Sequence, residues 1–102
     1  MDNLSLDAKY LDMLRNIFIN YCPEAEIFAY GSRVNGKSHD GSDLDLVIKN
    51  FPKEKTLSEL RALLSESNIP FLIDINVYEN LPETFQKEID KNSVKIYSKN
   101  LL

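Results

Sequence analysis

Residues Gly31 to Leu46 read GSRVNGKSHDGSDLDL. The first eight, GSRVNGKS, match the letters G-x-x-x-x-G-K-S of a phosphate-binding P-loop. The last four, DLDL, set two carboxylates, Asp43 and Asp45, two residues apart. Either feature can handle nucleotide phosphates, by different machinery. A P-loop needs a strand, a loop and then a helix, whereas paired aspartates at this spacing need a strand.

The flanking sequence separates the two. P-loop amides cradle phosphate because the loop opens directly into a helix N-terminus. The strand is there: Ile27-Phe28-Ala29-Tyr30 is a short apolar run ending at Gly31. The helix is not. Lys37 to Ser42 reads Lys-Ser-His-Asp-Gly-Ser, with no apolar residue to pack on a sheet, and Asp43 then starts a strand pattern. A helix squeezed in between would be about one turn long with nothing to bury, which is marginal. A doubly wound nucleotide-binding sheet also wants more strands than this chain supplies. Residues 32–42 are therefore expected to be a polar, glycine-bearing connection, and Lys37 a solvated residue within it.

In a strand, residues two apart share a face. Asp43 and Asp45 then point the same way, with Cα atoms roughly 6.5–7 Å apart. Leu44, Leu46 and Ile48 point the other way, into a core. Ile73-Asp74-Ile75-Asn76-Val77 repeats the arrangement, and Asp74 joins the two acids if its strand lies beside theirs. Like charges ~4 Å apart cost about 1 kcal/mol in water and ~4 kcal/mol at an effective dielectric of 20. A cation explains such a cluster best. Hard carboxylate oxygens with an open side suit Mg²⁺, and three acids suit two ions ~3.5–4 Å apart. For an isolated Asp-x-Asp the plain alternative is an exposed acidic strand face. The Gly-Ser turn upstream and the third aspartate downstream weigh against that here.

The remaining pattern supplies the scaffold. Tyr10, Leu14, Ile17, Phe18 and Tyr21 recur at helical spacing, predicting a helix from Ser5, as N-cap, to about Tyr21, stopped by Pro23. Thr56-Leu57-Ser58-Glu59 is a capping box, and Leu57, Leu60, Leu63 and Leu64 form the stripe of a second helix. Asn50 and Pro52 end the strand Asp43 to Ile48. Phe71 to Tyr78 is a third strand, Leu81, Phe85 and Ile89 suggest a short helix, and Val94 to Tyr97 is a last strand. The order implies an α/β (α+β) fold, a small mixed β-sheet with helices packed against it. The helix between the second and third strands is the candidate crossover joining them in parallel. The chain of 102 residues holds one core, so residues 1–102 are read as a single domain.

A formal net charge of −4 gives no general grip on nucleic acid, so phosphate must be held locally or through a cation. The single cysteine, Cys22, excludes an intrachain disulfide and is read as a small core residue. No apolar run reaches the ~20 residues of a membrane span, and MDNLSLDAKY lacks the makings of a signal peptide. The expectation is a soluble, cytoplasmic protein.

Gly31-Ser32, then Ser42-Asp43-Leu44-Asp45-Leu46, then Ile73-Asp74-Ile75 resemble the signature of nucleotidyltransferases related to DNA polymerase β. The fuller string GSRVNGKSHDGSDLDLVI is similar to the minimal nucleotidyltransferases, MNT or MntA-type antitoxins paired with HEPN-domain toxins. The resemblance implies that Gly31 and Ser32 hold the β- and γ-phosphates at the start of a short helical turn. It implies that Asp43 and Asp45 bind two Mg²⁺ ions, while Asp74 completes one site and helps deprotonate the attacking hydroxyl. It also implies transfer of AMP from ATP to a tyrosine of a HEPN toxin, which silences the toxin. Arg33 follows the motif and is a candidate nucleotide contact, with a surface salt bridge as its alternative. His39 is expected to be a loop residue, Ser42 a brace or turn residue, and Asn76 is left without a role. Larger relatives carry a further helical domain, so a second chain, in a homo- or hetero-oligomer, is expected to complete the site. Two other functions stay open: an antitoxin acting by binding alone, and a nucleotidyltransferase for small molecules such as antibiotics.

Overall fold

The structure, a computed structural model, describes residues 4–36 and 41–101. Lys37 and His39, singled out above, lie outside the described residues. Helix α1 spans Ala8–Tyr21 and leads to strand β1, Glu26–Tyr30. A four-residue helix, α2, covers Ser32–Asn35, and strand β2 runs Leu44–Lys49. Helix α3 (Leu57–Ser65), strand β3 (Ile73–Val77), helix α4 (Glu83–Lys91) and strand β4 (Val94–Tyr97) follow. Every element expected from the pattern is present, and α2 is the short helical turn that only the resemblance implied, four residues being too few to show periodicity. It also disposes of the P-loop, because a helix occupies positions that a P-loop leaves as loop.

The strands form one sheet in the order β3-β2-β1-β4. β1 runs antiparallel to both β2 and β4, and β2 pairs with β3 in parallel through the α3 crossover, so the sheet is mixed as expected. One face carries the core. Ile27 and Ala29 of β1, Leu44, Leu46 and Ile48 of β2, and Ile75 of β3 are fully buried there. Leu14 and Phe18 of α1 and Leu60 and Leu64 of α3 belong to the same cluster. Cys22 lies within it, and burial pushes its thiol up to about 11, with Lys55 opposing the shift weakly. Leu63 departs from the expected stripe and stands 41% exposed.

The helix starts show local chemistry winning over first appearance. Asp7, not Ser5, caps α1, its carboxylate accepting from the Lys9 N–H at 3.1 Å. The Ser5 backbone is engaged elsewhere, its N–H donating to the Arg33 carbonyl at 2.7 Å. Thr56 caps α3 as its box predicts, accepting from the Glu59 N–H at 3.1 Å. The Tyr21 hydroxyl then stands in for the box's second bond: it accepts from the Thr56 N–H at 3.1 Å and donates to Glu59 Oε1 at 2.7 Å. That contact ties the end of α1 to the start of α3.

Leu46→Ala and Ile75→Ala each remove a fully buried side chain from the helix-covered face. Each is expected to cost about 2–5 kcal/mol in urea unfolding, against less than about 1 kcal/mol for Leu63→Ala.

Candidate active site

The sheet's other face carries the acids, and strand register decides which of them meet. Across β2 and β3, Asp45 lies directly opposite Asp74, and across β1 and β2, Tyr30 lies opposite Asp45. Residues opposite one another in a ladder share a face, with neighbouring strands ~4.8 Å apart. Tyr30, Asp45 and Asp74 therefore form one row across three strands. Alternation leaves Asp45 half-buried and Asp74 exposed, while their neighbours Leu46 and Ile75 are fully buried.

Asp43 is placed differently from the expectation. It lies one residue before β2 begins, at the junction between the incoming chain and the strand, and is exposed. Its charge still reaches the row. Asp45 has its carboxyl raised above the usual range, first by partial burial, then by the charges of Asp74 and Asp43. Burial, then the same Asp45 and Asp74 charges, raise the Tyr30 phenol. The row is thus a site of concentrated negative charge held in tension.

Gly31 closes the row against α2. Its φ of 82° and ψ of −151° fall in a region open essentially to glycine alone. A β-carbon there would sit 2.5 Å from Asp45 Oδ2. The chain thus needs glycine both to turn and to let the Asp45 carboxylate lean over its backbone. Ser32 opens α2 directly after it, and Gly36 ends that helix in the left-handed conformation.

Arg33 follows Ser32 in α2 and turns inward. It is 5% exposed. Its Nε and Nη2 donate to the Ser42 carbonyl, at 3.1 and 2.9 Å, and its Nη1 to the Ser5 carbonyl at 2.8 Å. The guanidinium also lies 4.1 Å from the centre of the Phe71 ring. Backbone carbonyls thus accept from all three guanidinium nitrogens. Asn76, left without a role above, accepts from Arg61 Nη2 at 2.9 Å and contacts Asp74 Oδ2 at 3.4 Å. Tyr30 is the residue that sequence reasoning passed over. Its only signal was its place just before Gly31, at the end of an apolar run.

The donor set suits a hard divalent cation such as Mg²⁺, because it offers carboxylate oxygens only, on an open face. Among the described residues no three His, Cys, Asp or Glu side chains converge tightly enough to hold an ion by themselves. Without a counter-charge, convergence of these carboxylates is repulsive. The arrangement fits an open site whose remaining ligands come from substrate and water, not a closed structural cage.

These features predict how the metal-free protein responds to pH. Asp45's folded pKa is raised, so its contribution to stability is full below the usual carboxylate range and is lost as pH rises through the raised value. Asp45→Asn is expected to raise the neutral-pH melting temperature of metal-free protein by a few degrees, on a scale of ~4–8 °C per kcal/mol, with the gain disappearing in acid. Gly31→Ala is expected to destabilise by more than about 1 kcal/mol, since both φ and the Asp45 carboxylate oppose a β-carbon. Thermal melts across pH measure both.

Comparison with known proteins agrees with this geometry. Residues 13–101 match the family described as polymerase beta, nucleotidyltransferase. A relative from Haemophilus influenzae (strain ATCC 51907 / DSM 11121 / KW20 / Rd), "Probable protein adenylyltransferase MntA", is 32% identical over 98 residues, covering 94% of this chain and 86% of the relative. Among solved structures, one described as "Crystal structure of the toxin-antitoxin with AMP-PNP" superposes with a TM-score of 0.70 at 15% identity, covering 86% of this chain and 73% of that one. The last shares the fold. No described helix is long and apolar enough to cross a membrane. With the family matched over most of its length and the acid row in place, the chain belongs to the polymerase beta nucleotidyltransferase family and is an MNT-type nucleotidyltransferase.

Proposed function

We propose that this protein transfers AMP from ATP to a hydroxyl of a partner protein, a tyrosine of a HEPN-type toxin, and thereby acts as its antitoxin. The observation that carries the reading is the in-register placement of Asp45 against Asp74, beside the Gly31–Ser32 turn. The name of the Haemophilus relative supports adenylyl transfer to protein, and the structural neighbour supports a toxin as the partner.

The roles follow from placement. Gly31 and Ser32 begin a helical turn whose first N–H groups point out of its start, suited to the β- and γ-phosphates. Asp43, Asp45 and Asp74 would hold Mg²⁺, two ions on the family resemblance. When bound, the metal supplies positive charge that offsets the triphosphate and the charge developing on the reacting oxygens. Asp74 lies on the outermost strand, where an acceptor hydroxyl can approach opposite the phosphate turn. The hydroxyl oxygen bonds to the α-phosphorus, its proton passes to Asp74, and the bond from the α-phosphorus to the bridging oxygen breaks to release pyrophosphate. Tyr30 lies beside Asp45 on the phosphate-turn side, where it would flank a bound triphosphate.

The test is transfer of label from α-labelled ATP, with Mg²⁺, to a HEPN toxin. Wild type is expected to label a toxin tyrosine. Asp43→Asn and Asp74→Asn are each expected to lower the rate by about 10²–10³-fold, the scale of a few kcal/mol of transition-state stabilisation. Lys37→Ala is expected to leave most of the activity, whereas a P-loop lysine would abolish it. Absence of label, together with full protection of cells by an Asp43→Asn/Asp45→Asn variant, would replace catalysis with neutralisation by binding.

A further inference from the structure

Of the three aspartates, Asp43 alone lies outside a strand, so the sheet ladder does not hold it. Its backbone is pinned on both sides instead. On one side the Leu44 N–H donates to the Leu72 carbonyl at 2.9 Å. On the other the Ser42 carbonyl receives the Nε–Nη2 fork of Arg33, at 3.1 and 2.9 Å. The same guanidinium stacks on Phe71, 4.1 Å from the ring centre, in the segment that enters β3 and leads to Asp74. Through its own backbone Arg33 belongs to α2, the turn that Gly31 opens. Its third nitrogen and its carbonyl bind Ser5, clamping the segment before α1 onto the same group.

We propose that Arg33 is the positioning residue of the site: it fixes Asp43, and the entry to β3, relative to the phosphate turn, so that the carboxylates are placed for a divalent cation. The inference rests on the reading that Asp43 is a metal ligand. Arginine is required because a planar guanidinium can aim two N–H groups at one carbonyl oxygen while its face lies on a ring. A lysine ammonium, a hydrated point charge on a flexible stem, can do neither at once. Carbonyl oxygens and an aromatic face replace part of the water that the buried guanidinium gives up. Groups that orient metal ligands in this way typically change metal affinity or activity by about 10–100-fold when altered.

The experiment compares wild type with Arg33→Lys, which keeps the charge and loses the fork. Mn²⁺ is the probe, added with the same amount of a non-hydrolysable ATP analogue for each protein, its free concentration read by electron paramagnetic resonance, with folding checked by circular dichroism and melting. Arg33→Lys is expected to stay folded and to bind Mn²⁺ about tenfold more weakly. In transfer assays at saturating Mg²⁺ its kcat is expected to fall while KM for ATP stays within about twofold, the pattern of lost transition-state placement. Unchanged Mn²⁺ affinity in the folded variant overturns the proposal. So does a raised KM for ATP with kcat intact, which would make Arg33 a nucleotide contact. If wild type itself binds no Mn²⁺, the metal reading of Asp43 fails first and the inference goes with it, a result distinct from equal binding by both proteins. Should Arg33→Lys not fold, Phe71→Leu removes the ring beneath the guanidinium but keeps an apolar side chain. Weakened Mn²⁺ binding by that variant is expected, and unchanged binding overturns the proposal.

Discussion

Strand β2 pairs with β3 in parallel so that Asp45 faces Asp74 and Leu46 faces Ile75. Both the core and the site hang on that register. Side chains alternate with a period of two, so a slip of one residue would turn Asp74 into the helix-covered core and expose Ile73 and Ile75. The cost of burying a carboxylate among Leu14, Phe18 and Leu60 excludes the slipped pairing. Hydrophobic burial on one face thereby sets the position of charge on the other. The site is a by-product of correct folding, which is how a small chain can hold repelling groups together.

Repulsion adds to burial at Asp45. Its carboxyl is raised by burial and by two acidic neighbours, in a protein that is already acidic overall. A cation bound to a group in this condition would offset both the cost of its burial and the mutual repulsion. Gly31 sharpens the effect, because its missing β-carbon lets the Asp45 carboxylate lie over the turn that would receive phosphate. Negative charge from the protein and from a triphosphate would then meet at one place. Neither is stable there without the metal, so nucleotide and ion are expected to bind together.

Much of this was legible in the sequence, for identifiable reasons. Period-two alternation in Ile73-Asp74-Ile75 and Leu44-Asp45-Leu46 announced both strands and both faces. The Thr56 box and Pro23 punctuated the helices. What escaped depends on contacts between distant segments. Asp7 caps α1 because Ser5 is bound to Arg33, a pairing 28 residues apart that no local pattern shows. Leu63 fits a helical stripe yet lies at its edge, since α1 covers only part of α3. Arg33 looked like a phosphate ligand by its position after Gly31-Ser32. Its burial depends on Phe71 and Ser42 arriving from elsewhere. Tyr30 became visible only through the antiparallel register of β1 with β2.

On the proposed mechanism, one row of side chains on the open sheet face would gather the metal beside the phosphate turn. The most direct measurement is the broadening of backbone amide resonances in isotope-labelled protein as substoichiometric Mn²⁺ is added with a non-hydrolysable ATP analogue. Broadening is expected to centre on Asp43 to Leu46, Asp74 and Gly31 to Arg33, while the outward residues of α1 and α3, such as Ile19 and Leu63, stay sharp. Broadening centred on α4, or spread over the acidic surface without a focus, would contradict it.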